Sequence, residues 1–174
     1  YVGGEVAYPT QWVKPRLKVS FENITNHIYF DNQGLPQQHT GNIQVLAADL
    51  QLNITTPWVN LDNSDVYQHS SSEYIPLPAL TLYNNLYYHG TWVKALDVQI
   101  GVDMRLFTKY YAPVLNPALG QFCVQNVEKV GNYPVMNVYA NFYVKHIRLK
   151  LFAQYQHFNA SFMNKQYFAM PGYP

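Results

Sequence analysis

The chain has 174 residues, a net charge of +1 and only 12% charged side chains. This length is enough for one domain, and the balanced charge excludes a nucleic-acid binder, because no basic excess is present to neutralise phosphates. A hydrophobic content of 48% excludes intrinsic disorder, and the single Cys123 excludes a disulfide scaffold. No run reaches the roughly 18 uncharged apolar residues that a membrane-spanning helix needs.

Amides and phenols, rather than charges, supply most of the polar character. The chain contains 16 Tyr, 16 Asn and 13 Gln, whereas about 25–35% of a soluble protein surface is normally Lys, Arg, Glu and Asp. The apolar residues must therefore be covered by something other than a charged shell. A lipid bilayer is one candidate.

Alternation of apolar and polar residues predicts β-strands through most of the chain, because successive side chains of a strand point to opposite faces. In chain order, we predict strands at residues 2–8, 13–21, 44–54, 59–68, 80–88, 96–106, 135–145 and 147–154. The pattern is clearest from Leu96 to Leu106, and it breaks at Asn63 and Asp65. No segment has the caps and the 3.6-residue periodicity of a helix.

The connections between these strands alternate in length. Short connections are predicted at residues 9–12, 55–57 and 89–93, and the dipeptide Lys145-His146 is predicted to form a two-residue hairpin. Long connections are predicted at residues 31–42, 70–79 and 110–134. In an up-and-down sheet this alternation places all short turns at one end, as in outer-membrane barrels with short periplasmic turns and long extracellular loops.

Aromatic residues lie at both ends of the predicted strands. Trp12, Trp58 and Trp92 each lie beside a short turn, which predicts a belt of tryptophans at one membrane interface. Alternatively, these aromatics simply favour strand ends and cores. A second belt is predicted at the long-loop end, formed by Tyr29, Phe30, Phe107, Tyr110, Tyr111, Tyr133 and Phe158.

One face of the sheet is predicted to line a water-filled lumen, because a carboxylate facing lipid would be costly. Asp103 and Arg105 could set up a transverse field across a narrow pore. Alternatively, they pair with charges on adjacent strands and stabilise a filled interior. The pore-lining candidates are Asp97, Gln99, Asp103, Arg105, Asp49, Gln51 and Asn53.

No constellation of residues indicates catalysis, a cofactor or a metal. The six histidines are scattered and lack zinc-ligand spacing, and Cys123 has no nearby histidine. Gly-x-Ser-x-Gly, phosphate-binding and dinucleotide-binding motifs are absent. The sequence therefore predicts a protein that is not an enzyme.

Short motifs, each weak alone, occur in an order and spacing that resemble the C-terminal portion of the putative porin family of Bacteroidota outer membranes. The resemblance extends from about Leu17 to Pro174. The motifs are ENITNHIYFD at residues 22–31, VYQ at 66–68, QIGVD at 99–103 with FTKY at 107–110, NPA at 116–118 with QF at 121–122, GNYP at 131–134, AQYQHF at 153–158 and PGYP at 171–174.

The resemblance implies a transmembrane β-barrel in a bacterial outer membrane that passes small hydrophilic solutes by diffusion. Its partners would be outer-membrane lipid, those solutes and other outer-membrane proteins, with no nucleic acid and no cofactor. Residues 1–174 would form a single barrel region, a fragment lacking upstream strands and the final closing strand. Closure as a small eight-stranded barrel stays open.

Two other functions fit the same pattern. The chain could be a non-conducting barrel subunit of an outer-membrane complex. It could also be a soluble β-sandwich that binds glycans or acts as an adhesin, with Tyr74, Tyr110 and Tyr111 stacking on sugars. A sandwich should carry charged polar faces, however, and its Greek-key order fits the alternating connections less well than a meander.

Overall fold

The computed structural model describes residues 1–163, and most of these residues are in β-strands. The motif at residues 171–174 lies outside this part of the chain. A 3₁₀ turn, Phe158–Ser161, follows the last strand. The strands are β1 (Val2–Ala7), β2 (Val13–Phe30), β3 (Pro36–Thr55), β4 (Val59–Ser70), β5 (Leu80–Trp92), β6 (Leu96–Phe107), β7 (Val114–Asn116), β8 (Gln121–Cys123), β9 (Val135–Val144) and β10 (Leu149–Tyr155).

Eight strands form one sheet in the order β1-β2-β3-β4-β5-β6-β9-β10, and every neighbouring pair is antiparallel. The short strands β7 and β8 form a separate hairpin inside the β6–β9 connection. Within residues 1–163, β1 and β10 do not pair with each other, so this part of the sheet is open. The predicted all-β, antiparallel, up-and-down fold is confirmed.

The sheet has one apolar and one polar face, because residues paired directly across neighbouring strands share a face. Apolar side chains of this face are exposed at both edges of the sheet and near its middle: Val6 is 72% exposed, Leu50 45% and Leu151 53%, whereas Val98 of β6 is fully buried. The apolar face includes Val6, Leu17, Leu50, Leu61, Leu86, Ile100, Phe142 and Leu151, and the polar face includes Glu5, Arg16, Gln51, Asp62, Asn85, Asp103, Asn137 and Gln154.

The predicted long connection at residues 31–42 is wrong. β3 begins at Pro36, so residues 31–35 alone join β2 to β3. An Asp31 carboxylate oxygen accepts the backbone N–H groups of Gln33 and Leu35, each at 2.9 Å, and Gly34 has a φ of +79°. These hydrogen bonds stabilise the ionised carboxylate and hold the pKa of Asp31 below its usual range. The hydrogen bond from Leu35 contributes most. The strict alternation of short and long connections therefore fails here.

The predicted two-residue hairpin at Lys145-His146 is also wrong. Val144 pairs with Leu149, so the turn contains the four residues 145–148, and Arg148 has a φ of +52°. Ile147, predicted to begin the last strand, lies in this turn and is 67% exposed. The backbone N–H of Lys145 donates to the carbonyl of Ala95 at 2.9 Å, which ties this turn to the neighbouring β5–β6 turn.

β4 is one continuous strand, although its sequence is ambiguous. Its pairing with β3 and with β5 shows no register shift. Asn63 and Asp65, which break the alternation, therefore lie on the apolar face, between Leu61 and Tyr67. These two residues are polar exceptions on a regular strand.

Candidate functional site

All seven residues predicted to line a pore lie on the polar face, in two groups on separate strands. Two strands, β4 and β5, lie between the groups, so at about 4.8 Å per strand they are about 14 Å apart. Their lining of a pore stays a prediction. Asp49, Gln51 and Asn53 come from β3, and Asp97, Gln99, Asp103 and Arg105 come from β6.

A continuous row of polar side chains crosses six strands of this face. It contains both predicted and unpredicted residues, because the alternation within one strand does not reveal which residues meet across strands. Four of its residues were not predicted, although each occupies a polar-face position of its own strand: Lys14, Asp62, Asn85 and Asn137. The polar row consists of Lys14, Asn53, Asp62, Asn85, Asp103 and Asn137, each paired with the next.

Hydrogen bonds between neighbouring strands hold the polar row in place. The Asn137 side-chain amide donates to an Asp103 carboxylate oxygen at 2.8 Å. Two residues further along β9, the Tyr139 hydroxyl donates to the Asn85 side-chain oxygen at 2.9 Å. These contacts join β5, β6 and β9 through polar side chains, so this face is ordered as well as hydrophilic.

Asp103 and Arg105 have neutral partners on the neighbouring strands. Asp103 is only 8% exposed and accepts the hydrogen bond from Asn137. The Arg105 guanidinium lies 5.5 Å from the centre of the Tyr83 ring, within reach of a cation–π interaction. Within residues 1–163, neither residue forms an ion pair, so the alternative that they pair with charges on adjacent strands has no support.

Asp97 and Asp49 differ in the hydrogen-bond and ion-pair partners of their carboxylates. Asp97 forms an ion pair with Lys145 at 2.9 Å and accepts a hydrogen bond from Thr91 at 2.5 Å, both at the short-turn end. One Asp49 oxygen accepts the Gln51 side-chain amide at 3.1 Å. Its other oxygen is buried and has no hydrogen-bond partner within residues 1–163. Asp49 therefore presents an unused acceptor on the polar face.

The three tryptophans lie at the short-turn end, where the sequence places them. Trp92 is the last residue of β5 and pairs with Leu96, so it lies on the apolar face, and its indole N–H donates to Tyr88 at 3.1 Å. Trp12 and Trp58 lie in the turns before β2 and β4. All three are exposed, at 46%, 71% and 44% for Trp12, Trp58 and Trp92. Their role at a membrane interface stays a prediction.

The second predicted belt does not form on the apolar face. Tyr29 pairs with Gln37 on the polar face, because the strand pairing shifts by one residue between Thr25 and His27. Tyr133 is 4% exposed, and Tyr110 and Tyr111 lie in the β6–β9 connection. Most of these aromatics therefore gather around the long loop and do not ring the sheet.

The β6–β9 connection, residues 108–134, reaches from β6 back to the end of β2. The backbone N–H of Val124 donates to the carbonyl of Phe30 at 2.8 Å. Gln125 is buried and braces the loop: its side-chain amide donates to the carbonyls of Ala112 and Glu128, both at 2.7 Å. Three strands, β3 to β5, separate β2 from β6 in the sheet, so the loop crosses over their ends.

A cavity of about 360 Å³, here called the loop cavity, lies between this loop and the ends of β2 and β4. Tyr29 and Tyr74 stack with ring centres 4.4 Å apart, and the Lys129 ammonium lies 4.6 Å from the centre of the Tyr111 ring. Burial raises the pKa of Tyr110 above its usual range. The cavity wall also includes Asp31, Glu73 and Lys109.

The comparisons with known proteins agree with this architecture. No curated protein and no solved structure gives a significant match to the chain. Among residues 1–163, no helix is long and apolar enough to cross a membrane. A family model described as putative porin matches residues 4–174, almost the whole chain. The chain therefore belongs to the putative porin family.

Proposed function

We propose that this chain is part of an outer-membrane channel through which small hydrophilic solutes diffuse passively. The two-faced sheet carries the proposal: one face is mostly apolar, with exposed apolar side chains on every strand of the sheet except β9, and the other carries the polar row. In a membrane barrel the apolar face contacts lipid and the polar face surrounds water. Apart from the outer edges of β1 and β10, the strands pair their backbone groups within the sheet, as the bilayer interior requires. Such a role needs no catalytic residue.

The loop over residues 108–134 would narrow one end of this channel. It crosses the ends of β3 to β5 and is held to β2 through the Val124–Phe30 hydrogen bond. The loop cavity beneath it is lined by tyrosines and by both signs of charge. Such a lining favours neutral or zwitterionic hydrophilic solutes over solutes of one strong charge, because neither sign of ion meets a uniform field.

Charge substitutions on the polar face test the proposal in planar-bilayer recordings of the full-length protein. We expect Arg105→Glu to shift ion selectivity toward cations, since it replaces an exposed positive charge near the polar row with a negative one. Asp103→Lys should shift selectivity toward anions. Met104→Leu, on the opposite face of the same strand, is the matched control and should leave selectivity unchanged.

Two results would contradict the channel. If the wild-type protein inserts fully into lipid but conducts no ions, diffusion through it is ruled out, and a non-conducting subunit becomes the better account. If Arg105→Glu and Met104→Leu change selectivity equally, the polar face does not contact the conducting path. Because Asp103 is nearly buried, Arg105→Glu is the decisive variant.

A further inference from the structure

Three polar residues form a cluster in the middle of the apolar face. Asn63 and Asp65 of β4 and Asn84 of β5 lie on this face by their strand pairing. The Asn63 side-chain amide donates to Asp65 at 3.1 Å and to Asn84 at 2.8 Å. This set is called the polar cluster.

The polar cluster lies at a depth where a barrel contacts lipid tails. With a rise of about 3.3 Å per residue and a tilt of about 45°, Asp65 is roughly 16 Å above Trp58 at the short-turn end. The outward apolar band of such barrels is about 25 Å tall. Apolar residues also surround the cluster within the sheet: Leu52 and Met104 flank the Asn63–Asn84 pair, and Leu50 and Leu82 flank Asp65.

The hydrogen bonds within the cluster leave one donor group and two acceptor oxygens unused. Both amide hydrogens of Asn63 are engaged, but the Asn84 amide nitrogen, the Asn63 side-chain oxygen and one Asp65 carboxylate oxygen have no hydrogen-bond partner within residues 1–163. Polar and ionisable groups inside a membrane are costly unless they are paired with other polar groups. Lipid tails offer no such partner. Another polar surface must therefore cover the cluster.

We propose that a second copy of this chain covers the polar cluster, so that the protein associates with itself through this part of the apolar face. A surface that carries both a free donor and a free acceptor is complementary to itself: Asn84 of one copy can donate to Asp65 of the other, and the reverse. Both copies keep the same orientation across the membrane. This inference rests on the proposed membrane-spanning arrangement of the sheet.

The test measures self-association of the full-length protein in phosphatidylcholine liposomes, by energy transfer between fluorophores attached to an engineered His146→Cys. We expect transfer that rises with the protein-to-lipid ratio. Asn84→Asp leaves the cluster with unused acceptors only, and Asn63→Leu combined with Asn84→Leu leaves Asp65 as its one polar side chain, again without a donor. Each variant should weaken association by about tenfold or more, since hydrogen bonds between membrane segments contribute up to about 1–2 kcal/mol each.

A double variant and a control make the test specific. Asp65→Asn combined with Asn84→Asp exchanges donor and acceptor while keeping both bonds to Asn63, so it should restore association. Gln44→Leu removes a polar side chain from the same face at a distance from the cluster and should change nothing. Because the combined Asn63→Leu and Asn84→Leu variant adds only apolar surface, it keeps the test valid if Asn84→Asp fails to fold.

Three outcomes would overturn the inference. These are a wild-type protein that stays monomeric at every protein-to-lipid ratio, association that persists in a folded variant without a donor, and an Asp65→Asn, Asn84→Asp protein that folds but does not associate. Measuring the conductance of the same samples distinguishes failure of the self-association from failure of the proposed channel. A protein that associates through the cluster without conducting would contradict only the channel, and a conducting monomer would contradict only the self-association.

Discussion

A single residue decides which face the tip of β2 presents. Asn26 has a φ of +55°, and the pairing of β2 with β3 shifts between Thr25 and His27. A bulge of this kind inserts one unpaired residue and reverses the facing of every side chain beyond it. Without it, His27 and Tyr29 would lie on the apolar face. With it, Tyr29 reaches the loop cavity and stacks on Tyr74.

Gly101 is a second position at which one residue affects the structure, here through close packing on the polar face. It is buried between Tyr87 and Tyr139 on the neighbouring strands. A Cβ atom at this position would lie 2.7 Å from the Tyr87 Cβ and 2.7 Å from the Tyr139 hydroxyl. We expect Gly101→Ala to lower the free energy of unfolding by about 1–3 kcal/mol, because the packed rings must shift.

Tryptophan fluorescence during urea unfolding of the full-length protein in lipid vesicles measures this change. Gly4→Ala in β1 is the matched control, since a Cβ there meets no atom within 4 Å. It should leave stability within about 0.5 kcal/mol of the wild type. A Gly101→Ala protein as stable as Gly4→Ala would show that the two tyrosines do not pack against position 101.

At the scale of the strand, β6 shows the most regular alternation of apolar and polar residues. Each side of it pairs with a neighbour along its length, β5 on one edge and β9 on the other, without a register shift. Its apolar residues from Leu96 to Leu106 lie on one face, so they sample different depths of the bilayer in the proposed barrel. Ile100 lies near the middle of the strand and is 39% exposed.

We therefore expect Ile100→Arg to lower folding stability in bilayers by about 2–4 kcal/mol, because a guanidinium near the midplane contacts lipid tails. Arg at Leu96 or Leu106, near the strand ends, should cost about 0–1 kcal/mol. Urea titration of the three variants in lipid vesicles measures the profile. An equal cost at all three positions would indicate a protein core around this face, as in a β-sandwich, instead of a bilayer.

At the scale of the whole molecule, the β6–β9 connection joins parts of the sheet that strand pairing keeps apart. Gln125 organises its interior, and Val124 attaches it to the end of β2. The hairpin of β7 and β8 packs near that attachment, where Leu119 and Asn116 approach Gly34 of the β2–β3 turn. The loop therefore covers one end of the polar face while leaving the eight-stranded sheet intact.

Removing this hairpin should widen the proposed channel. We expect replacement of residues 111–129, which include the hairpin, Val124 and Gln125, in the full-length protein by a short Gly-Ser linker to raise single-channel conductance, because the loop no longer reaches β2 across the ends of β3 to β5. A Gly-Ser replacement of the turn at residues 145–148, at the opposite end, is the control. Unchanged conductance in the hairpin variant, with normal insertion, would show that the loop does not narrow the path.

Local alternation was sufficient to predict the eight strands of the sheet and the opposition of its two faces, whereas their up-and-down order was inferred from the connections between them. This works because the side-chain period of a strand is two residues and depends on the backbone alone. The seven polar candidates reached their predicted face for this reason. The family was also recognisable in short motifs, and the match over residues 4–174 confirms it.

Tertiary structure alone decided the features that depend on contacts between distant residues. The bulge at Asn26, the four-residue turn after Val144 and the attachment of Val124 to Phe30 each follow from hydrogen bonds or strain that alternation does not encode. The pairing of Asn63 with Asn84 likewise needed the register between strands. The register determines which residues are neighbours across strands. It shows that Asn63 and Asp65, which break the alternation in β4, belong to a polar cluster on the apolar face.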